Sequence, residues 1–297
     1  MNIDPNSPQN LIQRRVFDDP TGGMIQQRVM VQFTDFIQKT DLSKSSRQSL
    51  MELLVVVAVK FVSIWTHDQR FEAGERQLIE EARRSPQDRR GNTPIKLATA
   101  QDLYIEFDGF LVQVKSVLDH MINVLHYTLE LDFSGLTTFG DYGNKIVNQL
   151  QKNVSKKKEG LQGAAKILIE HIQQNQWWLK VVIESRDRMN HYKNGGLSPL
   201  PFTVACIIDA DGTEQLYRPT FSPGNLVKDE MSVIFRSLFD FVEYFIGVAF
   251  APRMNGYGIK FNRTPDVTKP QWSVLPDAVI RKMYARGEVP PEEMRDL

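Results

Sequence analysis

The chain has 297 residues, 41% of them hydrophobic and 10% aromatic, which is enough to bury one large core, or one core with an added lobe, without disulfides or metals. Cys206 is the only cysteine, so an intramolecular disulfide and a cysteine-based zinc site are excluded, and we expect a reducing, cytoplasmic location. The 36 basic residues balance 36 acidic ones, so no global positive field attracts nucleic acid, and any RNA contact must be local.

The N-terminal region is predicted to be helical and to stay outside a membrane. Its first ten residues are polar and contain Pro5 and Pro8, unlike a signal peptide. The longest apolar run, residues 53–65, is shorter than the roughly 20 residues that span a bilayer, and it contains Lys60. We therefore predict a buried helix or helix pair over residues 50–81, within an N-terminal helical extension of unassigned role that covers residues 1–95.

Residues 83–94 are polar, contain two prolines and lack periodicity, which predicts a loop or linker. The clearest helix follows over residues 99–131, where apolar side chains recur every three or four positions. These side chains are Leu103, Phe107, Phe110, Leu111, Val114, Val117, Leu118, Met121, Leu125 and Leu129. Glycines and threonines then interrupt the pattern between residues 131 and 143.

A second long helix is predicted over residues 160–192. Its apolar stripe consists of Leu161, Ala165, Leu168, Ile172, Leu179 and Val182. Continuing the stripe by three or four positions reaches Arg186, so this arginine is expected on the buried seam. The helix-stop signal Asn194-Gly195-Gly196 places His191 in the last turn.

The C-terminal third combines a hairpin with further helices. Two short apolar segments flank the turn sequence 209–212 and predict a small β-hairpin at residues 202–218. A helix rich in aromatic core residues is predicted over 233–246. Beyond Pro252 the chain is expected to be irregular, apart from a short helix at 277–286. The predicted fold class is therefore mainly α, a helical bundle with a small hairpin insertion.

Arg186 and His191 form an R-x4-H pair in which Asp187 directly follows the arginine. Cleavage of RNA by its own 2′-hydroxyl needs proton transfer and a cation facing the extra negative charge on the phosphorane, with no metal strictly required. A histidine can transfer the proton and an arginine can supply the cation. These three residues are the predicted catalytic group. The plainer interpretation is a salt-bridged Arg-Asp pair and a histidine that caps the helix.

The segment Arg186-Asp-Arg-Met-Asn-His191 resembles the R-x4–6-H motif of HEPN-superfamily ribonucleases, and residues 104–119 are similar to the acidic, aromatic first helix of such bundles. The resemblance covers roughly residues 96–250. It implies a HEPN-like bundle over 96–262 and leaves a C-terminal tail at 263–297. It further implies a metal-independent endoribonuclease with RNA as substrate and no cofactor, acting as a toxin or effector of prokaryotic defence. The alternative is a catalytically inactive HEPN-type module that binds a nucleotide or a protein.

A composite site is expected, because Arg186 and His191 lie about 140° apart around an ideal helix and one helix does not bring them together. The HEPN resemblance implies that two protomers place their motifs across a shared interface, which predicts a homodimer. The resemblance is also compatible with an inhibitory protein partner. The predicted supporting residues are Asn190, Tyr192, Glu106 and Asp108.

Three other features are open to more than one interpretation. No metal site is predicted at His120 and His126, because they lie six positions apart on one helix and face different sides. The pair Trp177-Trp178 is typical either of base stacking or of packing between helices. The run Lys156-Lys157-Lys158 is either a solvated helix entrance or a phosphate contact.

Overall fold

The protein is mainly helical, as predicted, and it has small antiparallel sheets where the sequence predicts a single hairpin. The computed structural model describes residues 19–85, 88–90, 93–130, 135–154, 159–190, 202–222, 224–261 and 269–286. A π-helical segment, Ile25–Val31, leads into the first α-helix. The α-helices are α1 (Gln32–Gln38), α2 (Lys44–Arg84), α3 (Gln101–Leu129), α4 (Asn144–Val154), α5 (Glu159–Gln174), α6 (Gln176–Asn190), α7 (Val227–Phe250) and α8 (Asp277–Ala285). The strands are β1 (Asp88–Arg90), β2 (Thr93–Ala100), β3 (Phe202–Ile208), β4 (Glu214–Tyr217), β5 (Thr220–Ser222), β6 (Asn225–Leu226), β7 (Tyr257–Phe261) and β8 (Trp272–Pro276).

The strands pair in three antiparallel sheets. The main sheet has the order β1, β2, β3, β4, while β5 pairs with β6 and β7 pairs with β8. In the main sheet Ile95 of β2 lies opposite Ile207 of β3, and Ala100 lies opposite Phe202. The sheet therefore joins the strand before α3 to the hairpin that follows α6 in the chain.

By its internal contacts the chain divides into two compact units. Unit 1 comprises Met1–Val62, Lys115–Lys180 and Leu238–Leu297, and unit 2 comprises Ser63–Val114 and Val181–Ser237. Four helices begin in one unit and end in the other, namely α2, α3, α6 and α7. This partition does not test the predicted division at residues 95 and 262, which stays a prediction.

In unit 2, α2 and α3 run antiparallel and approach closely at two glycines. Gly74 of α2 faces Leu103, and Gly109 of α3 faces His67. A β-carbon at either glycine would come within 3 Å of the facing side chain, at 2.8 Å from Leu103 Cδ2 and 2.5 Å from His67 Cε1. Glycine is otherwise unfavourable inside a helix, so these positions are explained by the space that the neighbouring side chains need.

An aromatic cluster forms the core of unit 2. Phe71 and Phe107 each meet the ring of Phe202 edge-on, with centroid separations of 5.7 and 6.1 Å. Phe107 also contacts Phe221 of β5 at 6.0 Å. Because burial of one phenylalanine side chain contributes on the order of 2 kcal/mol, this cluster binds the strands firmly to α2 and α3.

The core of unit 1 is centred on the C-terminal part of α7. Phe241 meets Phe139 and Trp178 edge-on at 5.8 and 5.6 Å, and its other neighbours include His171, whose ring stacks on it at 4.7 Å. All of these aromatic rings except the imidazole are almost fully buried. The imidazole is thus the polar member of an otherwise apolar cluster.

Unit 1 also contains a buried ion pair. Arg28 of the π-helical segment donates its Nε to Glu243 at 2.7 Å and its Nη2 to Asp240 at 2.7 Å, and the Arg28 and Glu243 side chains are both 2% exposed. Burial raises the pKa of Glu243, against the lowering effect of Arg28. Because an unpaired charge in this interior costs several kcal/mol, the pair ties the π-helical segment to α7.

The predicted single helix over residues 160–192 is wrong, because the described part consists of two helices, α5 and α6, that separate at Asn175. The Asn175 amide donates to the carbonyl oxygen of His171 at 2.9 Å, and its side-chain oxygen accepts a hydrogen bond from Trp178 Nε1 at 2.8 Å. Such side-chain bonds compete with the helical hydrogen-bond ladder. The predicted apolar stripe is nevertheless buried along both helices.

The predicted linker at residues 83–94 is also wrong. Helix α2 extends to Arg84, and β1 and the beginning of β2 lie in the same stretch. Strand β2 continues to Ala100, so α3 begins at Gln101, two residues after its predicted start. The strand conformation of β2 depends on its pairing with β3, which is distant in sequence. The local sequence therefore gives little indication of this strand.

Further elements are not predicted from the sequence, namely α4, the pair of β5 with β6, and the hairpin of β7 with β8. The hairpin pairs Tyr257 with Pro276 and Phe261 with Trp272, so the expectation of irregular chain beyond Pro252 is wrong. Its stability comes from tertiary contacts: a β-carbon at Gly247 of α7 would come within 2.6 Å of the Trp272 ring. Single-sequence periodicity does not reveal such a contact.

Several predicted elements are confirmed. The helix at 99–131 corresponds to α3, the helix at 233–246 corresponds to α7, and the short C-terminal helix corresponds to α8. The hairpin at 202–218 is formed by β3 and β4. Gly212 closes its turn with a φ of +84°, a conformation that glycine adopts without strain.

The N-terminal helical prediction is confirmed by α2, which is a single helix of 41 residues. Among the described helices, α2 alone is long and apolar enough to cross a membrane by length and composition, criteria that the core helix of a water-soluble protein also meets. One third of its most apolar 18-residue stretch is buried. The expected absence of a membrane span and the cytoplasmic location stay predictions.

Candidate functional site

The predicted catalytic arginine and aspartate lie together near the C-terminal end of α6, in unit 2. Arg186 Nη1 is 3.2 Å from Asp187 Oδ1. The two side chains are 35% and 50% exposed, so both are accessible from solvent. The carboxylate orients the guanidinium by a charge-assisted hydrogen bond.

Arg186 does not continue the buried seam of α6. The seam passes from Val182 to Ser185, whose side chain is almost fully buried and whose hydroxyl donates to the Val181 carbonyl oxygen at 2.5 Å. The expectation that Arg186 lies on the buried face is therefore wrong. A long charged side chain at the edge of a seam turns its charged end towards water, which agrees with the partial exposure of Arg186.

Other predicted residues near Arg186 lie outside what the structure describes. His191 and Tyr192 are outside the described residues, as is the run Lys156-Lys157-Lys158. For Asn190 the backbone is described, in α6, but the side chain is not. The geometry of the R-x4-H pair and of a shared interface therefore stays a prediction.

Glu106 of α3 contacts two residues of α2. Its Oε2 lies 2.7 Å from His67 Nδ1, and its Oε1 lies 3.9 Å from Arg70 Nη1. The Glu106 and His67 side chains are largely buried, at 17% and 20% exposure, whereas Arg70 is 65% exposed. Glu106 thus belongs to a charged cluster between α2 and α3, and its predicted role beside Arg186 stays a prediction.

Asp108 lies two positions further along α3. Its Oδ1 is buried and has no hydrogen-bond partner among the described residues. Burial, and to a smaller extent the charge of Asp108, raises the pKa of Tyr104 one turn before it. A buried carboxylate oxygen of this kind can accept a hydrogen bond from a water molecule or from a ligand. Its predicted supporting role is likewise untested by these contacts.

The remaining candidates divide by exposure. Within the described ranges, no group of three or more His, Cys, Asp or Glu side chains is arranged to hold a metal ion. His126 is exposed, while burial lowers the pKa of His120.

Trp178 is buried and bonded to Asn175, which confirms packing for that residue. Trp177 is exposed, so base stacking remains a prediction for it.

Known proteins do not identify the site. No protein-family model, no characterised protein and no solved structure matches this chain. Function must therefore be inferred from the chemistry of the residues, above all Arg186, Asp187 and the cluster around Glu106.

A groove of about 680 Å³ lies in unit 1, between the π-helical segment and α1 on one side and β8 on the other. Its walls are mainly apolar and include Met30, Val31, Phe36, Trp272, Val274 and Leu275. The backbone N–H of Trp272 donates to Gln32 Oε1 at 3.2 Å, which connects β8 to α1 beside the groove. The volume is in the range of ligand pockets.

His67 and Arg70 are not identified from the sequence, because they come together with Glu106 only through the fold. His67 and Glu106 are 39 positions apart. The available signals are the His-x-x-Arg spacing, which places both side chains on one face of α2, and Gly109 within a strongly predicted helix. Neither signal specifies a partner on its own.

Proposed function

We propose that this chain is a metal-independent endoribonuclease of the HEPN type. The observation that supports the proposal is the half-buried, carboxylate-oriented guanidinium of Arg186, four residues before the end of α6. In the sequence His191 follows directly after Asn190, the last residue of that helix. A cation and a proton-transfer group thus come from one short segment.

In the proposed reaction, the 2′-hydroxyl of a ribose attacks the adjacent phosphorus and the bond to the 5′-oxygen breaks. His191 takes part in proton transfer, either from the attacking oxygen or to the leaving oxygen. Arg186 faces the negative charge that develops on the phosphorane, and Asp187 keeps the guanidinium oriented. The products are a 2′,3′-cyclic phosphate and a 5′-hydroxyl, so no water enters the first step.

The proposed active form is a homodimer in which Arg186 of one protomer and His191 of its partner serve the same phosphate. The two side chains lie on different sides of one helix, and this arrangement brings an arginine and a histidine to the same phosphate from two protomers. RNA is the proposed substrate. A cytoplasmic toxin or defence effector with an inhibitory protein partner is the proposed biological setting, and it rests on the resemblance of the motif to HEPN ribonucleases.

The test is cleavage of labelled transfer or messenger RNA by wild type, Arg186→Ala and His191→Ala. Each substitution should lower the cleavage rate by at least about a hundredfold, because each removes one of the two groups that act on the transition state. Circular dichroism and thermal unfolding should show that both variants keep the fold.

Matched controls are Arg236→Ala and His126→Ala, which change an exposed arginine and an exposed histidine on other helices. Both controls should cleave RNA at the wild-type rate. Wild-type rates in both Arg186→Ala and His191→Ala would contradict the proposed function, as would equal losses in the controls.

The second candidate is a catalytically inactive HEPN-type module that binds a protein or a nucleotide, and the groove beside β8 specifically favours it. An apolar groove flanked by a strand and a helix suits a ligand that offers apolar side chains. A protein that is inert towards varied RNAs, with and without divalent metals, yet retains a tightly bound ligand or partner would favour this candidate over the nuclease.

A further inference from the structure

We propose that the outer face of helix α2 is an interface with a second copy of this chain, in which the two α2 helices lie antiparallel about Val56. The face belongs to unit 1. Its members are Glu52, Val55, Val56, Val59 and Lys60. The inference does not use Arg186 or His191, so it is independent of the proposed nuclease activity.

The first observation is the apolar surface that this face leaves in contact with solvent. Val56 is 40% exposed, Val59 one turn further along is 51% exposed, and Val55 beside them is partly exposed. Valine is a poor helix former at an exposed position, because its branched side chain loses rotamer freedom against the preceding turn. Contact with another apolar surface explains neighbouring exposed valines on one helix face better than helix propensity does.

The opposite side of this part of α2 is already covered within the chain. Leu50, Leu54 and Val57 are buried and face side chains of α1, α3 and α7. Of the most apolar 18-residue stretch of α2, however, only one third is buried. The apolar surface of this helix therefore exceeds what the described chain covers.

Two opposite charges flank the valines and indicate what the partner is. Glu52 and Lys60 lie one turn before and one turn after Val56, on the same side of the helix. The Glu52 carboxylate accepts a hydrogen bond from the Gln48 amide at 2.9 Å. Neither Glu52 nor Lys60 forms an ion pair with another residue in the described ranges, so both charges are open to a partner.

An antiparallel pair of α2 helices satisfies both charges at once. With a two-fold axis at Val56, Glu52 of each copy faces Lys60 of the other, and two ion pairs enclose a contact between valines. A parallel pair would instead set glutamate against glutamate and lysine against lysine. Any other partner would need its own matching charges, whereas a second copy already carries them. Because exposed ion pairs contribute little affinity, the valines supply the attraction and the charges fix the orientation.

The test is an exchange of the two charges, followed by analytical ultracentrifugation of the full-length protein at micromolar concentration. Wild type should sediment as a dimer. Glu52→Lys and Lys60→Glu, made singly, should each weaken dimerisation by at least about tenfold, because each sets like charges against each other at both ends of the contact. The double variant should dimerise as wild type does, because the exchanged charges pair again.

The matched control is Glu81→Lys. Glu81 is an exposed glutamate of the same helix, and it likewise accepts a hydrogen bond from a glutamine one turn earlier, at 2.8 Å. This control should leave the dimer unchanged, whereas Val56→Gln should weaken it by at least about tenfold without a change in charge. Arg186→Ala should remain dimeric, so loss of nuclease activity and loss of this interface can be told apart.

Several results would overturn the proposal. They are a wild-type monomer, single-reversal variants that dimerise as wild type does, and a double variant that stays as weak as the single ones. Binding of the wild-type monomer to phosphatidylcholine vesicles, abolished by Val56→Gln, would assign the face to a membrane and would also overturn it.

Discussion

At the scale of single residues, His171 shows how burial controls a charge. Its Nε2 donates to the carbonyl oxygen of Phe241 at 3.1 Å, and its ring is stacked on Phe241 and contacts Tyr244. Burial lowers the pKa of His171 to about 4, against a smaller raising effect of the hydrogen bond to Phe241. The imidazole is therefore neutral in the folded protein at neutral pH.

His171 should make the protein sensitive to acid. Between its ordinary pKa of 6.5 and about 4, the unfolded chain binds a proton that the folded chain does not, so stability is lost as the pH falls through this window. Going from pH 7 to 4.5 should cost roughly 2–3 kcal/mol in the free energy of unfolding from this residue alone. Chemical denaturation at both pH values measures the loss.

The comparison that isolates this effect uses His171→Gln, with His126→Gln as the exposed control. His171→Gln should be less stable than wild type at pH 7 but should lose less stability on acidification. His126→Gln should follow the wild-type pH dependence. If His171→Gln loses as much stability on acidification as wild type, the neutral state of His171 in the fold is contradicted.

The residue scale also decides how much of the candidate site is visible in the sequence. Arg186 and Asp187 are found there because their spacing to His191 is local, and the contact between them is the one that the plainer, salt-bridge interpretation predicts. The pairing of His67 with Glu106 is not found, because it depends on how two separate helices pack. Burial is misjudged for the same reason: the stripe predicts a buried Arg186, but Ser185 takes the inner position.

At the scale of elements, the packing of α2 on α3 depends on two glycines that face different kinds of side chain. Gly109 faces the rigid imidazole of His67, while Gly74 faces the end of the flexible Leu103 side chain. An added methyl group would displace the imidazole from Glu106, whereas Leu103 can change its rotamer.

Gly109→Ala should therefore destabilise the protein by about 1–3 kcal/mol, because overpacking outweighs the gain in helix propensity. Gly74→Ala, the matched control, should stay within about 1 kcal/mol of wild type, because the gain in propensity offsets a smaller strain. Urea unfolding measures both. A Gly109→Ala variant as stable as wild type would show that His67 is not held against α3.

Elements with internal periodicity are the ones that the sequence predicts. The apolar repeat of α3 is buried along its length, and the turn residues 209–212 specify the hairpin of β3 and β4. The sequence does not predict strand β2 or the hairpin of β7 and β8. These strands are stabilised by pairing partners and packing surfaces that lie far away in the chain. The break at Asn175 is not predicted, because it is caused by a single side chain whose hydrogen bonds compete with those of the helix backbone.

At the scale of the whole molecule, the proposed composite site predicts complementation between inactive variants. A heterodimer of Arg186→Ala with His191→Ala would keep one intact pairing, in which the arginine of one protomer meets the histidine of its partner. Such a heterodimer, purified with two different tags, should recover about half of the wild-type cleavage rate. Heterodimers as inactive as the parent variants, or a monomer in light scattering at micromolar concentration, would contradict the shared site.

The proposed chemistry is tested most directly by the ends of the RNA that the protein produces. Labelled RNA is incubated with wild type and with His191→Ala in excess chelator, and the product termini are then analysed. The account predicts 2′,3′-cyclic phosphate and 5′-hydroxyl ends from wild type, and no cleavage by His191→Ala. Products with a 3′-hydroxyl, cleavage that stops when metal is removed, or equal cleavage by His191→Ala would contradict it.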